Sequence, residues 1–544
     1  MWSLKLQQRY QKTIPLLLLL FALISFFFVY QHTQHQRLQD LISQQEQLAL
    51  DQKAEQDRLA QEKLVWIDSR RTLHEPVLNE TDESWTQLLQ SHDVAFPSML
   101  PPWTGKNGEV IHSEAKGIDR AIFFCRMNLD SDSDLLQMAL GETLRAQLLT
   151  TDEKMIDFKQ MTSQLRIHKT LYQHFDVLQA AGGDDKGTHE WALYTALERQ
   201  LYPWIQPRWP NVHAINKGNS SQRGIVMCVG EDQFHFARRT IKAIREIFKS
   251  TLPIQVYAID AADLSESKRH DLTSSFKGVT VHNIVDRINK VGTDFGGWSL
   301  KPFAALASDF DQVILMDADV YFFQSPDTLF DDPGYAATGT LFFYDRTLFG
   351  DWTLGRHWLE SFLPSVSSLV PKLRWWNYKS AHEQESGVVV IDKRRSLLGL
   401  LATCKINAKR ERTEVSYKHV HGDKETFWIG YEMVQTPYAF VKTHGGVLGG
   451  LGDGGDPSRV CGNILHFDAK RKPYWWNGGL LRNKNRWPDR YLVFSHYALG
   501  EDWDFETSCI KETDQIHEFS AKDKETARIF MKFDKEQKGT DDVQ

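Results

Sequence analysis

The densest concentration of chemistry in the chain is the tripeptide Asp317-Ala318-Asp319, which closes the apolar run Val313-Ile314-Leu315-Met316. Four such residues in a row predict a central strand covered on both faces. In an open α/β sheet, ligands bind beyond the carboxyl ends of such strands. Two carboxylates delivered together at that edge are hard oxygen donors suited to Mn²⁺ or Mg²⁺. A cation held there bridges phosphate oxygens and, as a Lewis acid, stabilises a departing diphosphate. If the strand runs through both aspartates, the side chains at i and i+2 share a face; if it ends at Asp317, one of them acts through water. Asp-x-Asp alone is commonly a solvated turn, so its weight here comes from the strand before it.

Three later stretches carry polar groups that the same cleft could use. His382-Glu383-Gln384-Glu385 stands before the strand-like Gly387-Val388-Val389-Val390-Ile391, so its carboxylates and amide arrive at a sheet edge, with Glu383 read as merely solvated. Asp423, in His421-Gly422-Asp423-Lys424-Glu425, either caps the helix that follows with its side chain or contacts a ligand. In Ile464-Leu465-His466-Phe467-Asp468-Ala469-Lys470-Arg471-Lys472, one loop offers an imidazole and a basic triplet. His466 reads either as a metal ligand or as a hydrogen-bonded, partly buried histidine. Residues 445–456 contain too much glycine for a strand interior, which predicts a mobile loop or a surface turn. Trp428, Trp375-Trp376 and Tyr474-Trp475-Trp476 fit either a sugar-stacking surface or the core.

The elements that must position these groups begin at Arg223. An apolar strand over 224–229 leads to a helical period over 234–248, and a second strand over 254–259 leads to a polar helix over 264–276. A short strand follows at 279–282. Strand and helix alternating in this way predict a largely parallel sheet flanked by helices. No GxGxxG follows the first strand and no GxxxxGK[ST] occurs, which removes the usual support for a dinucleotide fold or a P-loop.

Asp317-Ala318-Asp319, Gly297-Trp298-Ser299-Leu300-Lys301-Pro302-Phe303 and Glu385-Ser386-Gly387-Val388-Val389-Val390-Ile391-Asp392 together resemble the fungal Golgi α-1,3-mannosyltransferases, over roughly residues 220 to 500. The resemblance implies a GT-A fold, GDP-mannose as donor, a mannose-terminated protein glycan as acceptor, and transfer with retention. It implies Mn²⁺ held by Asp317 and Asp319, with His466 completing the shell. By the same resemblance Lys301, or the basic loop at Lys470 and Lys472, compensates the diphosphate, and Glu385 and Asp423, with Glu425 beside it, approach the sugar. Two other readings stay open: a UDP-hexose-dependent transferase, and a luminal glycan-binding protein without catalysis.

The whole chain has 544 residues, 71 acidic against 64 basic, and is 41% hydrophobic, an ordinary globular composition with room for a large core. The net charge of −7 has the wrong sign for a protein that depends on neutralising nucleic-acid phosphates. Residues 14–30 carry no charge, and Lys5, Arg9 and Lys12 precede them. That pattern predicts a single signal-anchor with a cytosolic tail at 1–13 and a luminal remainder. A stem follows at 31–75, a linker and helical accessory region at 76–220, the catalytic domain at 221–500 and a charged tail at 501–544. Five cysteines in a lumen permit disulfides among Cys125, Cys228, Cys404, Cys461 and Cys509, with at least one left over. Asn79 and Asn219 match the glycosylation pattern.

Overall fold

The computed structural model describes residues 156–180, 189–217, 222–363, 365–452, 456, 458–483, 487–504, 508–510 and 515–541. Residues 177–180 apart, these belong to one compact unit. The expected anchor, the stem, Cys125, Asn79 and Asn219 lie outside the described residues. Among the described residues, no helix is long and apolar enough to cross a membrane.

Seven strands account for the first part of the domain: β1 (Arg223–Cys228), β2 (Ile254–Ala258), β3 (Val279–Asn283), β4 (Gln312–Met316), β5 (Tyr321–Phe322), β6 (Thr340–Tyr344) and β7 (Gln384–Asp392). Six of them form one sheet in the order β3-β2-β1-β4-β7-β6. β1 to β4 run parallel, whereas β7 is antiparallel to both of its neighbours. This is the largely parallel sheet flanked by helices that the alternation predicts, made mixed by the antiparallel β7. Ile225, Val256, Ile314, Leu315, Val388 and Val390 are fully buried, as expected for strands covered on both faces. The helix Phe234–Glu246 adds Ala237, Ile241 and Ile244 to that core. The helix Leu300–Ala307 is buried along its whole length, and its Pro302 falls in the first turn, where the missing N–H has no partner to lose.

The antiparallel return of β7 positions the site. Met316 at the end of β4 pairs with Val388, and the Asp317 N–H donates to the Gly387 carbonyl at 2.9 Å. The exit of β4 and the start of β7 therefore share one edge, which brings Asp317 and Glu385 together from 68 residues apart in the chain.

A second sheet is built around β8 (Gly446–Leu451), β9 (Val460–Phe467) and β10 (Pro473–Trp476). β8 corrects the expectation of a mobile glycine loop. It pairs with β9 and with His496–Ala498, and five of its six residues are buried. The glycines serve close backbone approach: a Cβ on Gly449 would stand 1.9 Å from the Cys461 carbonyl oxygen, and one on Gly462 would stand 1.9 Å from that of Leu448. The predicted tail is likewise folded. Trp503–Asp504, Cys509–Ile510 and Ile516–Glu518 are strands of this sheet, and a disulfide joins Cys461 to Cys509. The helix Ala521–Asp541 places Phe530 against Tyr321 and Trp476 at 4.8 and 5.5 Å, and its Asp534 pairs with Arg239. Cys404 is a buried free thiol; Cys228, expected in the core, is half-buried.

The accessory helices Phe158–Ala180 and His189–Leu201 are present as expected. Arg166 Nε donates to the Met433 carbonyl at 2.8 Å, and Lys169 Nζ to those of Val434 and Gln435 at 2.8 and 2.9 Å. Two cations thus satisfy carbonyls at the C-terminus of the helix Thr426–Met433, where the helix dipole favours positive charge. Asp423 lies just ahead of the other end of that helix, so the accessory region braces an element of the site.

Candidate active site

At the shared edge of β4 and β7 lies a cavity of about 460 Å³. Its wall includes Asp317 and Asp319 from the end of β4, Glu385 and Ser386 from β7, and Lys301 from the helix Leu300–Ala307. Asp423 and Lys424 come from the turn before the helix Thr426–Met433. Sequence motifs separated by up to 122 residues, from Lys301 to Asp423, thus meet in one cleft.

Two lysines organise it, Lys301 buried and Lys424 partly exposed. Lys301 Nζ stands 2.9 Å from Asp317 Oδ1 and 3.1 Å from Asp423 Oδ2, and donates to the Ser386 carbonyl at 2.8 Å and to its hydroxyl at 3.0 Å. Burial alone would lower its pKa, but Asp317 and Asp423 more than reverse this, so the ammonium is held charged. Burial pushes Asp317 up to about 6, with Asp423 and Asp319 adding to the rise and Lys301 opposing it. Lys424 Nζ stands 2.6 Å from Asp345 Oδ2 and 3.0 Å from Glu385 Oε2. Here burial works against the carboxylates, yet Lys424 holds both Asp345 and Glu385 below their ordinary values. Glu385 Oε1 also accepts from the Gly387 N–H at 2.7 Å and from Asn477 Nδ2 at 3.0 Å, so both of its oxygens are engaged.

Asp423 does not cap its helix with its side chain. Its carbonyl accepts from the Thr426 N–H at 3.0 Å and from the Thr426 hydroxyl at 2.6 Å, which leaves the carboxylate to Lys301. Glu425 is turned away from the cavity. It is fully buried, accepts from Trp428 Nε1 at 2.6 Å and from the Glu383 N–H at 2.9 Å, and burial raises its pKa to about 8. Glu383, expected in solvent, is also fully buried; it pairs with Arg374 at 3.3 Å and accepts from the Trp375 N–H at 2.7 Å. Both residues fasten the chain entering β7. Trp375, Trp428, Tyr474, Trp475 and Trp476 are buried and belong to the core, whereas Trp376 is partly exposed.

Lys470 and Lys472 are exposed in the β9–β10 turn and are not among the residues that line the cavity. Asp468 Oδ1 accepts from both of their backbone N–H groups, at 2.8 and 2.9 Å, a local pattern that fixes the turn and points the chain outward. His466 is also outside the lining. It sits in β9 with its ring stacked 3.8 Å from Trp475, and burial lowers its pKa to about 3. Neither of its ring nitrogens has a hydrogen-bond partner among the described residues.

Five participants carried no role in the sequence: Asp345, Arg346, Lys424, Asn477 and Arg482. Arg346 and Lys424 line the cavity, and Asp345 anchors Lys424 from behind. A signal for Asp345 existed, because it closes the apolar β6 as Asp317 closes β4. Lys424 had none: its role depends on two carboxylates from other strands.

A divalent cation fits this donor set in part. Asp317 and Asp319 supply hard oxygens at the cavity wall, and the unpartnered nitrogens of His466 are of the type that ligates metals. Among the described residues, no group of three or more His, Cys, Asp or Glu side chains is gathered to hold a metal ion.

Residues 222–354 and 357–468 match a family model described as "Mannosyltransferase putative". Those segments run from β1 to the end of β9, and they contain Lys301, Asp317, Asp319, Glu385, Asp423 and His466. Alpha-1,3-mannosyltransferase MNT3 of Saccharomyces cerevisiae is 27% identical over 314 residues, covering 50% of this chain and 48% of the relative. Alpha-1,3-mannosyltransferase MNT2 of the same yeast is 25% identical over 327 residues, covering 52% and 56%. The chain spans about half the length of these relatives. Among solved structures, the mannosyltransferase Ktr4p from S. cerevisiae is 10% identical over 57% of this chain and 84% of that one. Its TM-score of 0.27 is too low to carry an argument.

Proposed function

We propose that the chain acts as do the fungal α-1,3-mannosyltransferases it is similar to, transferring mannose from GDP-mannose to mannose-terminated protein glycans, with retention and in α-1,3 linkage. The observation that carries the reading is the meeting of Asp317, Asp319, Lys301, Glu385 and Asp423 in one cavity at the carboxyl edge of β4. Its lining holds four cations, Lys301, Arg346, Lys424 and Arg482, against four carboxylates, Asp317, Asp319, Glu385 and Asp423. A dianionic diphosphate entering a balanced site leaves it negative unless a divalent cation enters too, which supports a donor bound with Mn²⁺ or Mg²⁺. Asp317 and Asp319 would hold that ion, while His466, buried outside the lining, is not placed to complete its shell; the metal would neutralise charge on the leaving diphosphate. Lys301, held charged, adds a fixed positive group beside Asp317.

Retention needs either a carboxylate nucleophile or an acceptor that enters on the face from which the diphosphate leaves. Glu385 has both oxygens engaged and Asp423 is paired with Lys301, so neither is poised to attack. This favours same-face transfer, with Glu385 and Asp423 positioning sugar hydroxyls. The disulfide between Cys461 and Cys509 suits an oxidising lumen. It supports a luminal catalytic domain, and the uncharged run at 14–30 behind Lys5, Arg9 and Lys12 supports a single N-terminal span in the Golgi membrane. The test is a screen of GDP- and UDP-sugars with mannose-terminated acceptors, with and without Mn²⁺, followed by linkage analysis of the product. Mannose transfer that requires metal is expected. Transfer from a UDP-hexose alone, or glycan binding without turnover of any donor, would sink the reading.

A further inference from the structure

Four aromatic rings form a connected set that begins at the cavity wall with Trp298 and His421, and nothing described above uses them. Trp298 lines the cavity yet is 52% exposed. Its ring lies 5.2 Å from that of His421, which lies 5.8 Å from His382, which lies 5.9 Å from Phe349. Phe349, at the far end, is 50% exposed. Trp298 and Phe349 thus put two large, half-exposed rings in one connected set, and a contiguous apolar patch of that kind marks a binding surface.

The local backbone is built to place the first ring. Trp298 sits in the short turn Gly297–Ser299, ahead of the helix that carries Lys301. Across from it, Gly422 has φ +65°, and a Cβ there would stand 2.7 Å from Trp298 Cε3. Glycine is thus required opposite Trp298 for both conformation and space, one residue before Asp423.

We propose that this row is the acceptor-glycan subsite: Trp298 stacks on the sugar that receives the transferred residue, and His421, His382 and Phe349 carry the sugars behind it. A pyranose has one face of C–H groups that packs on an aromatic ring, while its hydroxyls remain at the rim for water or polar neighbours. The connected rings offer more apolar surface than one sugar covers, which suits an acceptor of more than one mannose. Its continuity with the cavity at Trp298 and His421 delivers the end of such a chain beside Asp423 and Glu385. The proposal rests on the reading of the cavity as a sugar-transfer site.

The test measures equilibrium binding of methyl α-mannoside, α-mannobiose and α-mannotriose to the full chain, alongside transfer to each. Trp298→Ala is expected to weaken binding of all three about tenfold, with partial rescue in Trp298→Phe. Phe349→Ala is expected to weaken mannotriose about threefold and to spare methyl α-mannoside. Melting temperatures within a few degrees of the parent exclude misfolding. If both alanine variants bind mannotriose as the parent does while the parent transfers mannose, the row is not the acceptor subsite. Weakened mannotriose binding in the variants, with no transfer by the parent, upholds the row and sinks the transferase reading.

Discussion

Lys301 and Lys424 each stand between two carboxylates at the same cavity, yet the two clusters differ in what they can do. In the first, Asp317 keeps 30% of its side chain in contact with solvent, and its pKa is pushed up to about 6. In the second, Asp345 and Glu385 expose 1% and 4% of theirs and are held ionised. One cluster is an accessible carboxylate that exchanges a proton, and so can exchange it for a cation. The other is a closed ion triad that fixes the wall. Identical residue types become a reactive group or a structural one according to solvent access and the number of bonds already made.

The largest expected effect is on the accessible cluster. Asp317→Ala should lower metal-dependent mannose transfer by about 10³-fold, the scale of losing one principal electrostatic group, while the melting temperature stays near that of the parent. Full turnover in a steady-state assay would remove Asp317 from the chemistry and the comparison with it.

Stability should divide the clusters the other way. Lys424→Met strands two buried carboxylates and should cost about 3 kcal/mol in denaturant unfolding. Lys301→Met should cost less, because it strands Asp423 alone while Asp317 can take up a proton near pH 6. Equal losses would show that the two clusters are energetically alike.

Metal titration against pH sharpens the difference further. Protons compete with a cation for Asp317, so apparent Mn²⁺ affinity should fall about tenfold per unit as pH drops below about 6. The linked stability has the opposite sense. The folded value lies above the ordinary 3.8, so the stabilisation is complete below about pH 4 and is lost as pH rises through about 6. Asp345 and Glu385, shifted downward, should contribute nothing to either curve between pH 5 and 7. A metal titration flat across that window would place the ligand elsewhere.

The smallest effect belongs to the basic turn. Lys470→Ala with Lys472→Ala should change the donor KM less than about threefold, the scale of exposed substitutions. A tenfold rise would return that turn to the diphosphate.

Much of this was legible in the residues. The run Val313 to Met316 followed by Asp-x-Asp identified both a central strand and the edge where the site lies, because apolar continuity and strand polarity are local properties. The helical character of the accessory region and the alternation from Arg223 were legible for the same reason. Glu383, Glu425 and the tryptophan pairs were not, since residue type does not say which side of a wall a side chain faces. Glycine density in 445–456 predicted mobility, whereas close pairing with β9 required those same glycines. The acidic and basic residues after 500 read as a tail because the evidence for packing, Phe530 against Tyr321 and Trp476, spans some 200 residues of sequence.

By itself the sequence determined the class of sheet, the acidic pair at its edge and the kinship of its central half, all of which depend on neighbours within a few residues. The tertiary structure decided which charges act. Only the antiparallel return of β7 brings Glu385 beside Asp317, and only the closure of β6 and the turn at Asp423 around them gives each lysine its two carboxylates. Solvent access and pairing, which set whether a charge is reactive or fixed, arise from contacts between distant segments, and local sequence does not specify those.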